Sequence, residues 1–421
     1  MDPSARRPSP SRAVYSGLSG LMPLLIGCAP LSSGPPDGGE DLLPPIVGAP
    51  TITAPCTGPP TSGRSIAVTT TDFATGALSV IDVDSAQSAP DVALGSTDAK
   101  PFAFGEHLYL LHRFQIDALD VIDPAQGWSL VDQQAIEVDG VVSANPQKIA
   151  FSDDAQAYIT LFASPQVLIY DLGAPERPVA TGSLDLRPIA DEDGNPEASL
   201  AMVCDQTLLV SVQDLDPSQG FLPRHERGEV ALIDRTSGRI YDLDPTLEGI
   251  QGVPLQGTWA RQWRLDPRDP SGHTVLVLSE GVERLDLGTL TSTWLVAEET
   301  LEAVGITSYL QPQAFALTPT GDALYLASYT EDFAEVVVDR FLLPDDADAP
   351  VSPPERVLAG LQTSEEALEI LAGTLWVGDR SRGASGLRGF LLGDTADAPL
   401  VPLADAPLTT GLPPYAITIV P

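Results

Sequence analysis

Three thiols, one acidic loop and four imidazoles are the residues with the plainest chemistry in this 421-residue chain. The thiols are Cys28, Cys56 and Cys204, and no two of them have the spacing of a metal-binding pair. Asp191, Asp193 and Asn195 alternate within DEDGNPE (191–197) like the first half of a calcium loop, but the bidentate glutamate that would complete it is missing. That loop is the candidate calcium site, set against the plainer role of a solvated acidic turn; no other cofactor is expected. His107, His112, His225 and His273 include no helical ligand pair, and no HExxH, P-loop or GxSxG sequence occurs. With no nucleophile beside a base or a metal set, no catalytic residue is assigned, and binding is favoured over turnover.

The charge balance narrows the partners. Against 22 basic residues stand 58 acidic ones, a formal charge of −36, and such a surface repels nucleic-acid phosphate. Hydrophobic residues make up 43% and charged residues 19%, enough apolar material for a packed core. No apolar run reaches the roughly 20 residues of a membrane-spanning helix.

The N-terminal stretch carries an address. Arg6, Arg7 and Arg12 precede the mostly apolar or small segment Ala13–Gly27, the layout of a secretory signal. Leu25-Ile26-Gly27-Cys28 closely resembles the lipobox of bacterial lipoproteins. The resemblance implies a signal peptide over 1–27, cleavage before Cys28, and membrane attachment through a fatty-acylated (palmitate-type) Cys28. Ala29 rather than Asp follows, which by analogy with enteric bacteria favours outer-membrane over inner-membrane retention, with the domain in the periplasm or on the cell surface. Nine prolines and six glycines between Ala29 and Arg64 cannot build a core, so 28–64 reads as the lipidated cysteine and an extended tether.

The remaining residues, 65–421, repeat. Apolar runs ending in an acid and a turn recur at Asp82, Asp123, Asp171, Asp234 and Asp286, and two further copies place Leu343 and Leu392 at the same point. Successive marks are 41 to 63 residues apart, with short β-branched strands and turn residues between them. Helical periodicity is confined to a short stretch around Ser364–Leu371. This pattern predicts an all-β, seven-bladed β-propeller of four-stranded antiparallel blades. The first blade lacks an inner strand, and GLPPYAITIV (411–420) supplies it, closing the ring. NPQKIAFSDDAQAYITLFASPQVLIYDL (145–172) resembles the repeat of YVTN-repeat and lactonase-like seven-bladed propellers.

Given that ring, the residues just before the inner strands should surround one mouth of the central channel: Lys100, Gln147, Glu197, Gln262, Gln313, Glu366 and Tyr415, with Trp259 and Arg261 near the rim. Lys100, Gln147, Arg261, Gln262, Gln313 and Tyr415 are the candidate ligand-binding residues. Cys204 falls at a turn on the face where the chain enters, within reach of Cys56, so a disulfide pinning the tether beneath the ring is a candidate. The insert 213–230, with Phe221, Leu222, Arg224, His225 and Arg227, is a candidate partner contact. The combined expectation is a monomeric, lipid-anchored envelope propeller, a non-enzymatic binder or scaffold for an envelope protein or glycan. The alternatives are a lactonase-like or quinoprotein-like enzyme working at the channel mouth, or a purely structural envelope protein.

Overall fold

The computed structural model describes residues 42–421, apart from 214, 217–218, 220–221, 224, 226, 309, 345, 347–348, 350 and 363–365. Cys28, the signal segment, Phe221, Arg224 and Ser364 therefore lie outside the described residues. Seven four-stranded antiparallel sheets form the blades of a β-propeller. Their inner strands are Pro414–Val420, Ala99–Phe104, Pro146–Phe151, Ala201–Cys204, Gln262–Leu265, Pro312–Leu317 and Leu368–Leu371, for blades 1 to 7 in turn.

Ring closure joins the two ends of the domain. Pro414–Val420 pairs antiparallel with Ser65–Thr71, in register from Ser65 against Val420 to Thr69 against Ala416. Both faces of this blade are packed. Ile66, Val68, Ile417 and Ile419 lie with Leu371, Trp376 and Leu387 of blade 7, while Ala67, Leu78 and Val420 lie with Leu108, Leu110 and Ile122 of blade 2. Burial on two faces explains why these strands read as apolar runs rather than strict alternation.

The recurrent aspartates are turn residues, as their position after an apolar run implies. Asp82 Oδ1 accepts from Ser85 N–H at 2.8 Å, Asp171 Oδ1 from Gly173 N–H at 2.8 Å and Asp234 Oδ1 from Ser237 N–H at 2.7 Å. Asp123 and Asp286 make the same local bonds to Ala125 and Gly288. Two features depart from the sequence expectation. The stretch around Ser364–Leu371 contains no described helix, because Leu368–Leu371 is a fully buried inner strand paired with Thr374–Val377. A five-residue α-helix stands instead at Glu298–Glu302, between blades 5 and 6.

The segment expected as a hydrated tether is, from Pro44 onward, bonded to the propeller. Arg239 Nε and Nη2 donate to the carbonyls of Pro44 and Pro45, at 2.6 and 2.7 Å, and Ile46–Val47 runs parallel to Tyr241–Asp242. Thr53 Oγ1 donates to Asp205 Oδ2 at 2.6 Å. Cys56–Thr57 then adds a fifth strand on the inner edge of blade 4, with Cys56 opposite Cys204 and the two sulfurs bonded. A β-carbon on Gly58 would come within 3.0 Å of Leu265 Cδ1, and Arg64 N–H donates to Val420 O at 3.2 Å. Cys204, Leu265 and Val420 all end inner strands, so this strap crosses from blade 4 to blade 1 over one mouth of the channel. The other mouth lies at the N-terminal ends of the inner strands.

Candidate functional site: a charged central channel

At the mouth away from the strap, one guanidinium ties three blades together. Arg113 follows the second strand of blade 2. Its Nε donates to Asp98 Oδ1 at 2.9 Å, Nη1 to Gln147 Oε1 of blade 3 at 2.8 Å and Nη2 to the Tyr415 hydroxyl of blade 1 at 2.8 Å. The Tyr415 hydroxyl in turn donates to Asp98 Oδ1 at 2.7 Å. Burial alone would raise the Asp98 carboxyl, but the adjoining Arg113 charge and these bonds outweigh it and hold Asp98 below its ordinary value.

Deeper in, two ion pairs join blades that are not neighbours. Lys100 Nζ of blade 2 meets Glu366 Oε1 of blade 7 at 2.5 Å, skipping blade 1. Arg264 of blade 5 grips Glu369 of blade 7 with both Nη atoms, at 2.8 and 3.2 Å, skipping blade 6. Side chains of non-adjacent blades can meet only across the axis, so these pairs mark the channel interior. Glu366 holds a left-handed backbone, φ +51°, with its carbonyl accepting from Ile417 N–H and its carboxylate fixed by Lys100. A non-glycine residue keeps that conformation only where its surroundings dictate it.

Lys148 completes the cluster. Its Nζ lies 5.0 Å from the centre of the Phe102 ring, and Phe102 shares a strand face with Lys100. Among the described residues Lys148 has no hydrogen-bond or ion-pair partner. Desolvation pushes its ammonium down to about 8; Glu366 opposes this, Lys100 and Arg264 add to it, and Glu369 opposes it. The side chain keeps partial contact with channel space while lying deep among protein atoms. Three cations against two carboxylates leave this interior net positive in a chain of charge −36. Lys100 and Lys148 are moreover the chain's two lysines; every other basic residue is arginine.

The structure brings together Lys100, Gln147, Glu366 and Tyr415 of the expected rim and adds Asp98, Phe102, Arg113, Lys148, Arg264 and Glu369 as one constellation. Gln262 and Gln313, also expected at the rim, are each bonded to backbone groups. Gln262 Oε1 accepts from Phe315 N–H of the next blade at 2.8 Å, and the Gln313 amide donates to the carbonyls of Leu310, Gln311 and Pro312. Glu197 is buried, accepting from Leu215 N–H at 2.8 Å. Arg261 lies over the Trp259 ring at 5.1 Å.

In the acidic loop, Asp191 Oδ1 accepts from Asp193 N–H and Asp193 Oδ1 from Asn195 N–H, while the Asn195 amide donates to Phe162 O and Glu197 Oε1. Among the described residues no group of three or more His, Cys, Asp or Glu converges as metal ligands would. His112 Nδ1 accepts from Ser96 N–H at 3.2 Å, and its Nε2 lies 2.9 Å from Asp120 Oδ2 inside blade 2. Two peripheral concavities of about 400 and 390 Å³ lie on blades 4 and 5, one by Leu243 and Leu247, the other by Glu280, Trp294 and Glu298. Neither reaches the channel.

Neither a protein-family model nor a curated protein matches the sequence. Solved structures do match in shape. A putative 6-phosphogluconolactonase from Bacteroides fragilis superposes with a TM-score of 0.58 at 12% identity, over 85% of this chain and 98% of that one. A protein from Lactobacillus plantarum gives 0.57 at 12% identity, over 85% and 99%. The periplasmic gluconolactonase of Pseudomonas aeruginosa gives 0.56 at 12% identity, over 85% and 99%. At such identity the likeness establishes the fold alone: the chain is a seven-bladed β-propeller, similar in architecture to these proteins.

Proposed function

We propose that this protein is a lipid-anchored envelope propeller that binds a small carboxylate-bearing molecule in its central channel. The observation that carries the reading is Lys148, a cation with no bonded partner among the described residues, set with Lys100 and Arg264 in a net-positive channel. A chain this acidic repels anions at long range, so a cationic interior concentrates selectivity at one place. The strap crosses the far mouth, an arrangement that suits a small ligand better than a threaded polymer. The Cys56–Cys204 bond supports export to an oxidising compartment, in line with the lipobox reading of Cys28.

Isothermal titration of the purified full chain with gluconate, lactate and pyruvate, each beside its neutral amide, tests this reading. Carboxylates should bind at least tenfold more tightly than the amides. Lys148→Met should weaken that binding about tenfold, while Lys148→Arg keeps it. Equal affinities for acids and amides would overturn the proposal.

A second reading is lactone hydrolysis in the same channel, for which the amine of Lys148, near neutrality, would serve as the base. The two gluconolactonase-type structural neighbours make gluconolactone the first substrate to try. Ring opening at the uncatalysed rate would remove this reading and leave carboxylate binding standing.

A further inference from the structure

We infer that Lys148 is a reactive amine that condenses with the ketone or aldehyde carbon of a 2-oxo acid, whose carboxylate Lys100 holds. The inference rests on the carboxylate-binding reading of the same channel and goes beyond it by naming a covalent step and a substrate class.

The placement supplies both halves of such a ligand. Lys100 Nζ spends one of its three N–H donors on Glu366, and no other bond to it is made among the described residues. Two donors thus remain for a carboxylate. Lys148 is reached from the neighbouring blade over Phe102, on the strand face that also carries Lys100. A 2-oxo acid carries its carbonyl on the carbon next to the carboxylate, so a ligand held at Lys100 offers that carbon towards the Lys148 side of the ring. The charged groups facing Lys148 are Glu366 and Glu369 of blade 7, Lys100 of blade 2 and Arg264 of blade 5. Desolvation and the two neighbouring cations favour the neutral amine; the two glutamates favour the ammonium. Near pH 8 both forms are present, as a nucleophilic lysine needs.

The step balances without an outside reagent. The Nζ lone pair forms a C–N bond while the carbonyl π pair moves to oxygen. Proton transfer from nitrogen to oxygen gives a carbinolamine. Loss of its hydroxyl, together with the second amine proton, as one water leaves the imine. Reversal by water restores the amine, so the bound state is a reversible covalent one.

Two lysines make the experiment countable. The full chain is incubated at pH 8 with pyruvate and cyanoborohydride, which reduces the imine to a stable secondary amine, and the adduct is mapped by peptide mass spectrometry. The expected result is one lysine adduct, on Lys148, formed at least tenfold faster than with acetone and at least tenfold faster than on Lys100. Its rate should rise with pH to a plateau above about 8. Lys148→Arg should keep pyruvate binding by calorimetry and lose the adduct, which separates covalent chemistry from charge recognition. Equal labelling of both lysines overturns the inference. Absence of labelling while carboxylate binding persists also overturns it and leaves the binding reading intact. Absence of both overturns the two together.

Discussion

Arg264 and Glu369 stand on the inner strands of blades 5 and 7 and close a two-pronged ion pair across the propeller axis, at 2.8 and 3.2 Å. The pair clamps blades that share no strand pairing, with both side chains largely buried. Removing one partner strands the other charge, whereas removing both leaves an apolar gap. Arg264→Met and Glu369→Leu should therefore each destabilise by about 3 kcal/mol, and the double variant by clearly less than their sum. Urea unfolding of the four proteins measures this coupling; strict additivity would mean the clamp contributes nothing as a pair.

Lys148 gives the fold a particular pH response. Its amine titrates near 8 in the folded protein and near 10.5 when unfolded. Between those values the unfolded chain holds more protons, so this residue's contribution makes stability rise with pH from about 8 to about 10.5. Below 8 the full cost of burying the ammonium applies, up to about 3 kcal/mol before channel water screens it. Lys148→Met should accordingly melt about 2–4 °C above wild type at pH 7, with the gap closing by pH 10.5. Calorimetric scans across that range check it; a gap that stays constant with pH contradicts the assignment.

The disulfide should contribute more to stability than most, because 148 residues separate Cys56 from Cys204. Closing so long a loop restricts the unfolded chain, and its loss should cost about 3–5 kcal/mol. Cys56→Ser/Cys204→Ser and reduced wild type should show the same lowered urea midpoint. A reductant that leaves the wild-type midpoint unmoved would show that the bond restrains nothing.

The blades were legible because each is a local unit: a turn aspartate such as Asp171 bonds two residues away, and the apolar run before it packs whatever lies on either side. Closure was legible too, since Pro414–Val420 is a strand with no partner near it in sequence. The channel is different. Lys148, Arg264 and Glu369 come from three blades and share no motif, so pattern reading passes over them and finds only Lys100, by its place beside an inner strand. One signal was present in composition: a chain with 22 basic residues uses lysine twice, both times beside the start of an inner strand. The bonds of Gln262 and Gln313 were hidden for a related reason. Their position beside the rim is correct, but sequence does not say which way an amide turns, and backbone groups of the neighbouring turn or blade capture both. The proline-rich composition of 44–64 could not reveal that Arg239 and Asp205 would hold its backbone and Thr53, or that Cys56 would join a buried cluster with Ile52 against it.

The strap also decides how the molecule carries tension. A pull on the chain ahead of Cys56 passes through the disulfide into the inner strand of blade 4, nine residues before it could reach Ser65. The blade that the two chain ends complete is thereby spared, although no covalent bond holds its closing contact. Reduction of that one bond redirects the same pull onto Ser65–Thr71, the strand zipped against Pro414–Val420, and turns the ring's closure into the first place it opens.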